Sequence, residues 1–166
     1  MDSLTQLTLG AAVAVATLPQ GNSNKLKLAA TGAVLGTLPD LDVLLDYGDV
    51  VSNMVLHRAQ SHALFYQTLV APLLAYIAAA VCRQRQYYWR WLLATWLILV
   101  SHSAIDAMTV YGTQLALPFS SFPYAVGSIF IIDPLYTLPL LMGIGFYLRR
   151  QNYTTAYRAN LWGLGL

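Results

Sequence analysis

Apolar runs long enough to cross a bilayer recur from one end of this chain to the other, with only short polar breaks between them. That recurrence leaves no stretch from which a separate soluble domain could be built. Residues 63–82 and 91–110 are the longest uninterrupted runs, and about 20 residues at 1.5 Å each cover roughly 30 Å of hydrocarbon. Composition agrees: 57% of the 166 residues are hydrophobic, only 10% are charged, and mean hydropathy is +0.54. Soluble domains carry about a quarter charged residues. The expectation is an all-α integral membrane protein, a single membrane domain over 1–166 holding a bundle of about five transmembrane helices. The spans fall at 4–18, 28–45, 63–82, 91–110 and 129–148, followed by a polar tail at 151–166. The first is interrupted by Thr5, Gln6 and Thr8, so it reads as a weak span or a re-entrant helix. The second is broken in its middle by Pro39, which removes a backbone donor and pushes Leu38 away from helical geometry.

The net charge of +2 comes from sparse Lys and Arg at the ends of apolar runs, so nucleic-acid binding has no electrostatic footprint. Cys82 is the only cysteine, which excludes an internal disulfide. The first residues carry Asp2 where a cleavable signal would carry positive charge, and the segment is expected to be retained. Threading five spans with the N-terminus outside puts Lys25, Lys27, Arg83, Arg85, Arg90, Arg149, Arg150 and Arg158 on the cytoplasmic side, leaving only Arg58 outside. Tyr87, Tyr88, Trp89 and Trp91 then sit at the inner interface and Tyr47 and Tyr124 at the outer one.

The same threading gathers the chain's acidic residues, all of them Asp, and its three His toward the outer face. Ionisable groups on apolar helices cost about 2.5 to 3.5 kcal/mol each at a helix centre, so they persist where a partner or an ion compensates. In SHSAID, His102 and Asp106 lie one turn apart on the fourth span, about 40° around the helix, and one metal ion can take both. A hydrogen bond between the two would satisfy them equally well. In HRAQSH, His57 and His62 do not converge on one helix face, so the segment must start before the helix does, with His57 in the loop or first turn and His62 inside the third span, both imidazoles aimed at the pocket beside the fourth span. Arg58 either holds an anionic group of a substrate or pairs with Asp46 or Asp49. Ser61 reads as a local hydrogen-bonder. In PDLD, Asp40 and Asp42 fall in the first turn after the proline, where they cap the new segment or bind an ion. Asp133 before Pro134 repeats the theme, as an N-cap or a ligand. Gly32 with Gly36, and Gly10 with Ala14, are helix-packing pairs. The stretch 109–124, rich in Pro, Gly, Ser and aromatics, is an outer loop that caps the site or lines a route to it.

Several ordered motifs carry a resemblance: MDSLTQLTLGAA, GTLPDLD, HRAQSH, SHSAID with the following MTVYGT and LPFS, and IFIIDPLYTLPLL. From Met1 to about Arg150 the chain resembles the YdjM-like family of inner-membrane-associated metal-dependent hydrolases, also described as LexA-binding. The resemblance implies a bacterial inner-membrane location and a polar centre of Asp40, Asp42, His57, His62, His102 and Asp106, with Ser61, Thr109 and Asp133 one bond further out. Many members have Thr-His where this chain has Thr5-Gln6, and Gln6 is a poor metal ligand, so the first span is expected to stay out of coordination. Ala59 and Ala63 also depart from the usual pattern. A fold-level likeness to zinc-dependent phospholipase C and P1 nuclease suggests phosphoester chemistry.

The resulting expectation is a divalent metal, Zn²⁺ first with Mn²⁺ or Fe²⁺ next, held by His57, His62, His102 and Asp106, with Asp40 and Asp42 completing the shell or acting as general base. Arg58 would steady an anionic substrate, a membrane lipid being the natural one, and metal-activated water would hydrolyse a phosphoester or ester. The alternatives are a non-enzymatic protein working through a LexA-type partner, as the resemblance implies, or a metal or proton transporter.

Overall fold

A computed structural model describes residues 1–18, 24–44, 46, 48, 58–149 and 153–165. It is all helical, with no β-strand among the described residues beyond one isolated bridge between Thr113 and Tyr124. The first helix, α1 (Ser3–Thr17), starts at Asp2, whose carboxylate accepts from the Thr5 backbone N–H at 3.0 Å and the Thr5 hydroxyl at 2.5 Å. Asn24 caps α2 (Lys25–Thr37) by accepting from Leu26 and Lys27. As expected from Pro39, the regular helix stops there and Leu38–Leu44 continues as a 3-10 segment.

A short 3-10 turn, Gln60–His62, leads into α3 (Leu64–Val81). The chain reverses through Arg83, which adopts a left-handed φ of 55°, and through Gln84, whose side chain accepts from the Trp91 indole at 3.0 Å. It then enters α4 (Tyr88–Ala107). Residues 108–133 form an irregular loop before α5 (Pro134–Arg149), where Asp133 caps the helix by accepting from Leu135 N at 3.0 Å. The segment expected as a polar tail carries a sixth helix, α6 (Tyr153–Leu164). It docks because Gly163 lies against Gly143 backbone to backbone, and because the buried Asn160 donates to the Ala12 carbonyl at 2.9 Å. Its polar letters hid that packing face.

Successive helices run up and down, so contacts fix which ends meet. Gln6 lies beside Gly36, Gln67 beside Ser103 and Thr5 beside Thr137. One end of the bundle therefore collects the start of α1, the end of α2, the start of α3, the end of α4 and the start of α5. The other end collects Lys25, which sits over the Tyr147 ring at 5.2 Å, together with Arg83, Arg85 and Arg149. The closest helix pair is α1 with α2: a Cβ built on Gly10 would lie 2.3 Å from the Gly32 carbonyl oxygen, so only glycine permits the contact.

On α3 the large apolar side chains point outward and the small ones inward. Leu69, Leu73, Tyr76 and Ile77 of α3 are exposed, while Ala71, Ala75, Ala78 and Ala79 of the same helix are buried. Polar His102, Ser103, Asp106, Gln67 and Thr95 are buried with them. Among the described residues α3 is the one helix both long and apolar enough to cross a bilayer unaided, with a mean hydropathy of 1.8 over 18 residues. The expectation of five spans thus meets a single self-sufficient one. The second span is cut at Pro39, and α4 gives up hydropathy to Arg90, His102 and Asp106.

Candidate metal centre

The 3-10 segment after α2, the turn before α3 and the last turns of α4 bring Asp40, His62, His102 and Asp106 together, one ligand atom from each lying within 4.8 Å of the others. His62 Nε2 is 3.1 Å from His102 Nε2 and 3.1 Å from Asp106 Oδ2. His102 Nε2 is 3.7 Å from Asp106 Oδ2, and Asp40 Oδ1 lies 3.5 Å from His62 Nε2 and 3.4 Å from His102 Nε2. Four ligands at the usual zinc bond lengths in a tetrahedron stand about 3.3 Å apart. These five spacings, 3.1 to 3.7 Å, bracket that value, and with all four atoms within 4.8 Å of one another the residues fit a divalent cation.

Hydrogen bonds on the far side of each imidazole fix where its lone pair points. His102 Nδ1 lies 2.7 Å from the Gly36 carbonyl and so must be the protonated nitrogen, which leaves Nε2 as the acceptor. Ser61 Oγ donates to Asp42, so the His62 Nδ1 at 2.8 Å donates to that same hydroxyl. Both Nε2 lone pairs then face two carboxylate oxygens across one small space. Such a convergence of electron-rich atoms, with one His held from behind by a carbonyl and the other by a hydroxyl that is itself bonded to a carboxylate, is the arrangement of metal-ligating histidines.

The side chains of His62, His102 and Asp106 are at most 1% exposed and that of Asp40 is 21% exposed, so the site opens on the Asp40 side. Asp106 Oδ1 faces away from the imidazoles and is surrounded by donors: the α-amino group of Met1, Gln6 Nε2 at 3.3 Å and Arg58 Nη2 at 3.7 Å. Arg58 also donates to Thr109 Oγ1 at 3.1 Å and stacks over Tyr111 at 5.6 Å, while Thr109 Oγ1 donates to the Asp106 carbonyl.

Of the residues singled out in the sequence, Asp40, His62, His102 and Asp106 meet directly. Asp42 lies behind Ser61 with its Oδ2 3.8 Å from His62 Nδ1, on the side of the ring away from the other ligands. Asp133 shares this end of the bundle but is occupied in capping α5. His57, along with Tyr47, Asp49 and Arg150, lies outside the described residues. Three participants escaped sequence reading: Gln6, Gly36 through its carbonyl, and Gln67, whose amide reaches Ser103 Oγ at 2.6 Å and the Ser61 carbonyl at 3.0 Å. A glutamine inside an apolar helix was the available signal for the first and last; a backbone oxygen gives none.

The ordered Asp and His motifs that build this centre lie within a stretch, residues 1–165, that matches the family model of the YdjM inner membrane protein. The chain belongs to the YdjM inner membrane protein family. Among curated proteins it is 28% identical over 155 residues to the uncharacterized protein YfhP of Bacillus subtilis (strain 168), an alignment covering 89% of this chain and 46% of that protein. The chain thus spans about half the length of the curated relative it matches. No solved structure matches it.

The relay behind His62 makes a prediction. Asp42→Asn removes the charge that holds Ser61 and His62 in place while leaving every atom of the quartet, and should weaken metal affinity about 10- to 100-fold. Competition with a chromophoric chelator measures this; an unchanged affinity would mean that Asp42 serves only the local backbone.

Proposed function

We propose that this chain is a membrane-embedded metal-dependent hydrolase that cleaves a phosphoester or ester of a lipid with metal-activated water. The observation that carries the reading is the convergence of Asp40 Oδ1, His62 Nε2, His102 Nε2 and Asp106 Oδ2 within 4.8 Å of one another, with both imidazoles oriented from behind. Mixed imidazole and carboxylate donors at these spacings favour Zn²⁺. Bound there, the cation would lower the pKa of a water and polarise a phosphoryl or acyl oxygen. Asp40, on the open side, would either complete the shell or, left out of it, take that water's proton. Asp42 and Ser61 hold His62 in its tautomer, and Gly36 does the same for His102. Arg58, with 15% of its side chain exposed beside Asp106, is positioned to bind an anionic headgroup.

A lipid is favoured because the surroundings are apolar and uncharged. Residues 107–132 contain no Asp, Glu, Lys, Arg or His, and Tyr111, stacked on Arg58, also lines a groove with Val110, Ile129, Phe130 and Ile132. An amphiphile with its headgroup at Arg58 could lay its chain there. The outward large apolar side chains and inward alanines of α3, with exposed Leu26, Val34, Leu93, Leu135 and Leu138 on other helices, support a bundle immersed in lipid, with all of α1 to α5 crossing. The shorter helices need their flanking segments to do so, as α2 has in Leu38–Leu44. The cationic end would face the cytoplasm and the metal centre the opposite side.

Purified protein reconstituted with Zn²⁺ into vesicles of phosphatidic acid or phosphatidylglycerol should release phosphate or fatty acid, and a chelator should stop it. A folded wild type that holds no metal, or a release indifferent to chelator, would sink the proposal. Arg58→Ala should lower kcat/KM on the anionic lipid at least about tenfold while metal content stays the same, since a charge-assisted contact contributes about 1.5 to 3 kcal/mol.

A further inference from the structure

On the outer surface of the bundle a groove runs between α3 and α4, starting at the cationic end, away from the metal centre. One wall is the small Ala71 and the ring of Pro72 on α3; the other is Trp89, Leu92, Leu93 and Trp96, which share one face of α4 at i, i+3, i+4 and i+7. The two indoles stand seven positions apart, about 10 Å along that wall. Trp96 is fixed by donating its indole N–H to Thr68 Oγ1 at 3.0 Å. Beside Trp89, the Tyr88 hydroxyl donates to the Pro72 carbonyl at 3.4 Å, which ties the two walls together.

Both walls lead to the same cation. Arg85 stacks over the Tyr76 ring at 5.4 Å, Tyr76 lies one turn beyond Pro72 on α3, and Trp89 follows Arg85 by four residues. Stacking uses the face of the guanidinium and leaves its N–H donors in the plane, the edge that takes a phosphate two bonds at a time. Residues 50–105, which build both walls and the turn between them, contain no Asp or Glu. Asp2, Asp40, Asp42, Asp106 and Asp133 are gathered at the other end of the bundle. Arg83 and Arg90, both exposed, add to the positive field around Arg85. The complementary anion therefore comes from outside this part of the chain. An apolar slot walled by indoles, with an arginine at its interfacial mouth, has the chemistry of a lipid whose chain lies in the slot and whose phosphate meets the arginine. We propose that the α3–α4 groove binds an anionic phospholipid of the leaflet at the cationic end, held by Arg85 and separate from the lipid assigned to Arg58. The proposal rests on immersion of the bundle in lipid and is independent of the metal.

Trp89 and Trp96 report the occupant directly, because bromine on an acyl chain quenches indole fluorescence only at contact. The full chain carrying Trp162→Phe, which removes the exposed indole of α6, would be reconstituted into phosphatidylcholine vesicles containing a small fraction of brominated phosphatidylglycerol or brominated phosphatidylcholine. A chelator keeps the proposed hydrolysis silent. Brominated phosphatidylglycerol is expected to quench at about fivefold lower mole fraction, the preference that one cation at the membrane surface supplies. Arg85→Ala should erase the preference and Arg85→Glu reverse it. Arg149→Ala, at the same end but on α5, which lines no part of the groove, should leave it intact. Equal quenching by the two lipids would overturn the proposal, since the groove would then hold any lipid. A preference that survives Arg85→Ala, or falls equally in Arg149→Ala, would overturn it as well, as the mark of a general surface charge. Quenching by neither lipid, in protein that resists alkaline extraction from the vesicles, would give the groove to a protein partner, a second copy included. Protein that is extracted would take the immersed bundle down with the proposal.

Discussion

Purified His102→Ala should carry no more than a trace of the metal that copurifies with the wild type. His102 is fully buried and works in two directions, with Nε2 in the quartet and Nδ1 on the Gly36 carbonyl. Truncation takes one donor from the four and leaves Asp40 and Asp106 with a single imidazole between them. Loss of groups that merely orient a ligand already weakens metal affinity about 10- to 100-fold, so loss of the ligand should exceed the upper end of that range. The substitution also strips the buried Gly36 carbonyl of its partner, which costs about 1 to 3 kcal/mol and should appear as a lower melting temperature even without metal. Elemental analysis of variant beside wild type, with thermal melts of both in chelator, resolves the two effects. Equal metal content in a folded variant would dismiss the quartet as a binding site.

Gly36→Val should be the most destabilising of the substitutions considered. A Cβ at this position would lie 2.6 Å from the Gln6 carbonyl oxygen and 3.0 Å from the Gly10 Cα, both backbone atoms that cannot swing aside. The helices must part, and overpacking of this kind costs about 1 to 3 kcal/mol or more. Parting them also moves the Gly36 carbonyl from His102 and α1 from Asp106, so metal affinity should fall in step with stability. Gly145→Ala is the matched control: a Cβ there meets nothing within 4 Å, and a helix interior gains roughly 1 kcal/mol from the exchange. Unfolding in detergent, followed by circular dichroism, gives the stability difference, and chelator competition the affinity. Undiminished affinity in a destabilised Gly36→Val protein would disconnect the helix contact from the site.

Much of this architecture was legible because its causes are local. Pro39 ends a regular helix whatever surrounds it, so the break before Asp40 and Asp42 could be placed in advance. The one-turn spacing of His102 and Asp106 followed from helical geometry alone, whereas His62, expected inside the third span, sits in the 3-10 turn before α3. What stayed hidden depends on contacts between distant segments. Asp42 and Asp40 sit two residues apart and look equivalent as letters, yet only the packing of the Gln60–His62 turn sends one to Nε2 and the other to Nδ1. Gly36 read as a packing residue, which it is, and its carbonyl carries no letter. Gln6 was set aside on residue type, although its burial beside Asp106 is decided by the glycine contacts of α1 with α2. The sixth helix was missed because Asn160 donates its amide nitrogen to the Ala12 backbone, a partner 148 positions away.

The bond from His102 to a carbonyl in the last turn of α2 has a thermodynamic corollary. An ion in the quartet binds the assembled bundle and not the open chain, so its chemical potential enters the folding equilibrium: at a concentration 100 times its dissociation constant it adds about 2.7 kcal/mol to stability. That is a sizeable share of the few kcal/mol by which a small domain stays folded. The intact fraction of this protein in its membrane would then follow the local supply of metal, and starvation for the ion would be felt first as loss of the chain itself.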